Sequence, residues 1–304
     1  MTSQLRLAPI VVLVYDSPIA RAYLQMFRES MVQPKTILVM VPPPRRWYLR
    51  LFPNFLRLRF LEILRSMTNN FYPRRLLKQK CFQQMASDIE EAYSFSAGFL
   101  TKMYDYHTFD RFSSTVQKIE VTGLDDPTLI PHIASCEEST ILYTGGGIVP
   151  ESILSLTGKQ FLHIHPGFLP KQRGADGILW ATMNEGTLGA SAFFLGPGID
   201  TGDLIIAKTY PVLSFSLPGT LTRPDLETLY RAIYSFYDPA LRVRLLRDML
   251  DDIVDERSLV GYPQDLNKGK YYSFMTSEER GCAMTIIFPE DLESRDSGSR
   301  TDKD

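Results

Sequence analysis

Ile10 to Tyr15 reads IVVLVY, an unbroken run of apolar, largely β-branched residues that stops at Asp16-Ser17-Pro18. A run apolar on both faces suits a strand buried in the middle of a sheet. Ile19 to Met31 then sets Ala20, Leu24 and Phe27 at helical spacing, and Thr36 to Val41 (TILVMV) is a second buried run that Pro42-Pro43-Pro44 terminates. Strand, helix and strand form a βαβ unit, which predicts a parallel sheet with helices on its faces.

The alternation continues outward from this unit. Gln83 to Met103 reads as a helix, and Val116 to Val121 (VQKIEV) as a short strand followed by Gly123. Asp125-Asp126-Pro127 opens a helix through Ile133, with its acids at the end where the macrodipole favours them. Ser139 to Thr144 (STILYT) is a strand that runs into Gly145-Gly146-Gly147. The pattern holds from residue 8 to about residue 155 without an internal repeat.

A length of 304 residues is about twice that of a common domain, so one large α/β domain with an appendage, or two domains, is expected. Hydrophobic residues at 44% and charged residues at 22% exclude collagen-like, low-complexity and globally disordered chains. Lys plus Arg number 33 against 35 Asp plus Glu, so no whole-molecule field calls for nucleic acid. Cys81, Cys136 and Cys282 are odd in number and far apart, which suggests neither a disulfide framework nor a thiolate zinc site and fits a reducing compartment. The apolar stretch from Ala8 to Tyr15 is too short for a signal sequence, and no run of 18 apolar residues occurs. No membrane span and a cytoplasmic location are therefore expected. Glu290 to Asp304, with Leu292 as its one apolar residue, reads as a disordered tail.

Arg45 to Lys80 departs from the balanced charge: ten Arg or Lys face one acid, Glu62, and Trp47, Tyr48, Phe52, Phe55, Phe60, Phe71 and Tyr72 are interleaved. After Pro53, the residues Leu56, Phe60, Ile63 and Met67 share a helical face from which Arg57 and Arg65 are displaced. Three roles suit this insert: a helix packed on the domain with a solvated basic face, recognition of an acidic partner, or docking on a membrane surface.

The residues that carry chemistry lie after the triple glycine. A glycine run at a strand's end is where a parallel sheet admits ligands, though GGGIVP has neither dinucleotide-fingerprint spacing nor a Walker lysine. Phe161 to Gly174 reads FLHIHPGFLPKQRG, in which His163 and His165, two apart on a strand, project from one face before Pro166-Gly167 turns the chain. Thirty-five residues after His165, Gly196-Pro197-Gly198-Ile199-Asp200-Thr201-Gly202-Asp203 holds two carboxylates in a glycine-rich loop. An acid there can orient an imidazole and raise its basicity; the same loop chemistry also suits a plain turn.

With these residues in view, the chain resembles the folate-dependent formyltransferases, the family of glycinamide ribonucleotide, methionyl-tRNA and sugar-amine enzymes. The family pattern, Asn-x-His-x-Ser-Leu-Leu-Pro-x-x-x-Gly followed about 35 residues after the histidine by Asp-x-Gly-x-Ile, aligns with His163 to Gly174, where His163 replaces the Asn and Gly-Phe-Leu-Pro the Ser-Leu-Leu-Pro, and with Asp200 to Leu204. The resemblance covers about residues 8 to 210. It implies an α/β fold with a doubly wound, mostly parallel, Rossmann-type sheet, and N-formyl transfer from 10-formyltetrahydrofolate as co-substrate. The acceptor would be a small-molecule amine, such as an amino sugar or amino acid derivative, open to an anionic group.

By the same resemblance, His165 stabilises the tetrahedral oxyanion and moves a proton, Asp200 holds that imidazole, and His163, standing where the family has asparagine, donates to the oxyanion. Gly145, Gly146, Gly147 and Ile148, with Leu195, Gly196 and Gly198, would hold the pterin; Gly167, Phe168 and Arg173 would meet the acceptor. No metal is implied. Two other readings remain: His163, His165 and Asp200 as a two-histidine, one-carboxylate metal set, and an inactive formyltransferase fold kept as a binding module.

Residues 1–210 are thus expected to form the catalytic domain with the insert at about 45–80. Residues 211–289 form a short α+β extension, helical over Asp225 to Ile253 with an interruption at Pro239, and 290–304 the tail. Gln264 to Met275 (QDLNKGKYYSFM) resembles the glutamine, glycine and tyrosine stretch that follows the catalytic domain in sugar and tRNA formyltransferases. About 50 residues beyond the last helix are too few for a full tRNA-binding barrel, so tRNA is not the expected acceptor. A homo-oligomer is left open.

Overall fold

A computed structural model describes residues 4–217, 223–255 and 259–289. The first half of the chain contains β1 (Arg6–Tyr15), α1 (Pro18–Glu29), β2 (Val32–Val41), α2 (Asn54–Asn69), α3 (Phe71–Leu76), α4 (Lys80–Ala92), α5 (Phe99–Lys102), β3 (Thr115–Glu120), α6 (Leu129–Ala134), β4 (Thr140–Tyr143) and α7 (Glu151–Leu154). The second half contains β5 (Gln160–His165), β6 (Gln172–Gly174), α8 (Gly177–Asn184), β7 (Thr187–Phe194), β8 (Leu204–Pro211), α9 (Leu226–Ala232), α10 (Asp238–Asp248), α11 (Leu250–Val254), β9 (Lys270–Tyr272) and α12 (Ser277–Ile287).

Seven strands form one sheet in the order β3-β2-β1-β4-β5-β7-β8. β3, β2, β1, β4 and β5 run parallel, and β7 alone is reversed against its neighbours β5 and β8. The expected doubly wound, mostly parallel α/β fold is present. Its strand order changes direction between β1 and β4, so the crevice beyond their carboxyl ends is the ligand position that this topology creates.

Period-two alternation along β1 divides the interior. Ile10, Val12 and Val14 face a large cluster that includes α1 and α10, whereas Val11 and Leu13 face a smaller one with Leu38, Ile141 and Phe161. Local chemistry sets the helix starts: Ser17 Oγ accepts the Ala20 N–H at 3.2 Å with Pro18 in the first turn, and Thr276 with Glu279 forms a capping box for α12. Cys81, Cys136 and Cys282 are free thiols.

Two sequence expectations change. Gln83 to Met103 is two helices, because Ser94 and Gly98 adopt left-handed backbone between α4 and α5. The Asp225–Ile253 helix divides into α9, a π-helical stretch Ile233–Tyr237, α10 and α11, with Pro239 in the first turn of α10. Leu241 and Leu245 of α10 and Ile253 of α11 lie in the same core as α1. Residues 290–304, expected as a tail, lie outside the described residues. No described helix is long and apolar enough to cross a membrane.

The largest reversal is α2, which forms where the periodicity places it but packs the other way round. Leu58, Leu61, Glu62 and Ser66 are buried, while Leu56, Phe60 and Met67 face outward. Polar demand inside the fold is the reason. The fully buried Arg21 guanidinium takes Ser66 Oγ at 2.8 Å, and the buried Phe109 N–H donates to Glu62 Oε1 at 2.9 Å. Leaving those donors unpaired would cost more than exposing a few apolar side chains.

Candidate active site

β5 carries His163 and His165 on one face, beyond Phe161 and at the carboxyl edge of the sheet. His165 is buried; its Nε2–H donates to the Gln172 carbonyl at 3.1 Å, and its Nδ1 lies 3.4 Å from Asp200 Oδ2. Asp200 sits in left-handed backbone, φ +55°, at the end of a loop that turns through Gly198. Its Oδ2 also accepts the Gly174 N–H at 2.8 Å. Gly202 allows this loop to lie flat, because a Cβ there would meet the Phe194 carbonyl oxygen at 1.8 Å.

His163 Nδ1–H donates to the Tyr143 carbonyl at 3.2 Å, and its ring packs edge-on against Phe193. A carbonyl oxygen can only accept, so the proton of a neutral His163 is on Nδ1 and its Nε2 is an acceptor. Burial, then the charge of Arg242, holds His163 well below the ordinary histidine range. Burial also lowers His165, partly opposed by the Asp200 charge. Both rings are therefore neutral near pH 7. Arg242 is itself buried and paired with Asp238 at 2.8 Å, and it donates to the Ile164 carbonyl.

These groups line a cavity of about 450 Å³ at the strand-order switch. Of the positions expected to hold the pterin, Gly146, Gly147, Ile148, Leu195, Gly196 and Gly198 are in its wall. Gly145 is not; it is buried against Tyr143, whose hydroxyl a Cβ would meet at 2.5 Å. Gly146 and Gly147 have open space at the Cβ position, so a planar ring can approach their backbone. The open glycine backbone leaves room there for a flat ring such as a pterin.

The expected acceptor contacts are placed elsewhere. Gly167 packs on the His165 ring, Phe168 lines a separate small cleft with Trp180, and Arg173 is in β6 outside the cavity wall. None of residues 45–80 lines the cavity either. Among the described residues no group of three His, Cys, Asp or Glu side chains is placed to hold a metal ion.

Sequence reading missed the contribution of the C-terminal part. β9 pairs with β6 in parallel, bringing Tyr271 and Phe274 to the cavity. Gln264 Nε2 donates to the carbonyls of Asp200, at 3.2 Å, and Gly202, at 2.5 Å, and so clamps the acidic loop. Buried Asp176 accepts from the Tyr230 and Tyr234 hydroxyls and from the Met275 N–H at 2.8 Å. The Gln264 to Met275 stretch was the available signal for this wall; Asp176, Tyr234 and Arg242 left none, since each acts through long-range contacts.

Residues 122–228 match the family model described as Formyl transferase. Methionyl-tRNA formyltransferase of Dictyoglomus thermophilum is 32% identical over 143 residues, 47% of this chain and 41% of that protein. The enzyme of the same name from Dictyoglomus turgidum is 35% identical over 158 residues, 50% and 48% of the two chains. The match thus spans less than half the length of either relative. A sugar N-formyltransferase structure from a Shewanella species covers 91% of this chain, and 87% of its own, at 11% identity and a TM-score of 0.46.

Proposed function

We propose, from the match of residues 122–228 to the formyl transferase family model, that the protein transfers a formyl group from 10-formyltetrahydrofolate to an amine of a small metabolite. The observation that carries the reading is the His165–Asp200 pair at 3.4 Å inside the glycine-edged cavity. When bound, the folate supplies an activated formyl carbon.

The chain's own residues supply positioning and proton handling. Because Nε2 of His165 is engaged by the Gln172 carbonyl, Nδ1 is the atom free to take the proton of the attacking amine. Asp200 stabilises the imidazolium that results, and the same proton is returned to the departing folate nitrogen, so no net proton is consumed. The imidazolium and the buried Arg242 guanidinium compensate the negative charge of the tetrahedral oxygen. His163 takes a different part from the expected oxyanion donor. With its proton fixed toward Tyr143, it offers a lone pair at Nε2 that accepts an N–H of the incoming amine and orients it.

Calorimetric titration with a non-transferable tetrahydrofolate analogue, followed by mass-spectrometric assay of amino sugar and amino acid acceptors, tests the proposal. Saturable binding and formamide formation on a small amine are expected. Absence of binding at about millimolar ligand would leave a non-enzymatic module. Formylation of aminoacylated tRNA alone would overturn the choice of acceptor.

A further inference from the structure

The insert at residues 45–80 has a face that the proposed reaction does not use. Trp47, Leu51, Phe55 and Phe71 are each between 66% and 75% exposed, and Phe60 and Met67 about half exposed. They project from a 3-10 turn at Trp47–Leu51, from α2 and, for Phe71, from the start of α3. Isolated apolar side chains on a surface are ordinary, but this many exposed aromatic and long aliphatic ones within one short insert mark an interaction site. Their exposure is no accident of a loosely attached helix. Glu62 and Ser66 fix the inward face to Phe109 and Arg21, and Asn69 Nδ2 donates to the Asp16 carbonyl at 2.6 Å.

The charge around this face identifies its partner. The one acid of the insert, Glu62, is buried and turned inward to Phe109 and Lys118, so the exposed surface of the insert is without an acid. Arg57 pairs with Glu120 and Arg59 with Asp110. Arg45, Arg46 and Arg50, beside Trp47 and Leu51, are exposed and have no ion-pair partner among the described residues. Projecting Trp, Phe and Leu flanked by unpaired Arg is the composition of a surface that enters the headgroup region of an anionic bilayer. A fluid bilayer accepts convex side chains of this kind without a shaped groove, and its negative potential attracts the arginines.

We propose that this face docks the protein on anionic lipid membranes, with Trp47, Leu51 and Phe55 inserted and Arg45, Arg46 and Arg50 at the headgroups. The inference does not rest on formyl transfer, and its test contains neither folate nor amine. The full chain is sedimented with phosphatidylcholine vesicles holding about 30 mol% phosphatidylserine and with pure phosphatidylcholine vesicles. Emission of Trp47 is recorded in a Trp180→Phe background, which leaves one tryptophan. Expected are partition onto the anionic vesicles only, a blue shift of Trp47 emission, and weakening as salt is raised.

Trp47→Ser with Phe55→Ser, and separately Arg45→Glu with Arg46→Glu and Arg50→Glu, should each reduce partition by about tenfold or more. All five side chains are exposed, so the melting temperature should hold. Equal or absent partition on both vesicle types would overturn the proposal. So would a dimer in light scattering that Trp47→Ser with Phe55→Ser abolishes, since this face would then be covered by a second copy.

Discussion

Two buried polar clusters stand near the carboxyl edge of the sheet, and they differ in whether their valences are filled. Around Arg21, the guanidinium bonds both Asp16 oxygens at 2.7 and 3.1 Å, the carbonyls of Met103 and Tyr106, and Ser66 Oγ. Nothing is left over, and no member of the cluster lines the cavity. Around His165, one ring nitrogen is bonded to the protein and the other faces Asp200 at a distance longer than a good hydrogen bond, with the cavity alongside. A saturated cluster joins elements together; one with an open valence on a cavity can exchange a proton with a ligand.

Substitutions in the two clusters should therefore separate activity from stability. Asp200→Asn removes the charge that stabilises the imidazolium while retaining an acceptor for Gly174, and should lower kcat/KM on the order of 10²- to 10⁴-fold with little change in melting temperature. The pH profile supplies a second readout. His165 must be neutral to accept a proton, so activity falls as pH drops through its lowered ionisation. Because the Asp200 charge raises that value, the acid limb of Asp200→Asn should move to still lower pH. His163 is neutral throughout this range and should add no limb near neutrality, so His163→Asn should leave the profile's shape unchanged.

Arg21→Met should behave in the opposite way. It leaves the Asp16 carboxylate buried without its partner, and a loss of roughly 3–5 kcal/mol in denaturant unfolding is expected. The double variant with Asp16→Asn should recover part of this, because no uncompensated charge remains. Recovery by the double variant would distinguish charge burial from lost packing.

The smallest effect concerns Glu62, which belongs to neither extreme. Burial, opposed by the Phe109 amide and Lys118, pushes its carboxyl up to about 7. The folded state thus holds the proton more tightly than the unfolded one, whose value is near 4.5, and stability falls as pH rises between those two values. Glu62→Gln should remove this slope. Thermal melts should agree with the parent near pH 4.5 and exceed it by a few degrees above pH 7; parallel curves would mean that Glu62 does not titrate in this window.

The sequence by itself determined the βαβ start, the parallel sheet, the glycine turn after β4, and the convergence of His163, His165 and Asp200. All but the meeting with Asp200, which the resemblance to the formyltransferases implied, rest on local pattern: continuous apolar runs, period two along β5, and glycines where backbone must turn or approach closely. Tertiary structure decided the rest. Periodicity established that α2 has an apolar face and a polar one, but Arg21 and the Phe109 amide, distant in sequence, chose which face went inside. The neutral state of His163 followed its burial and the Arg242 charge, its proton position the Tyr143 carbonyl, and the cavity's far wall came from Gln264 to Phe274 through the pairing of β9 with β6. Strand and helix formation answer to neighbours along the chain, whereas hydrogen-bond satisfaction and the charge environment of a buried ring are set by groups that only folding brings together.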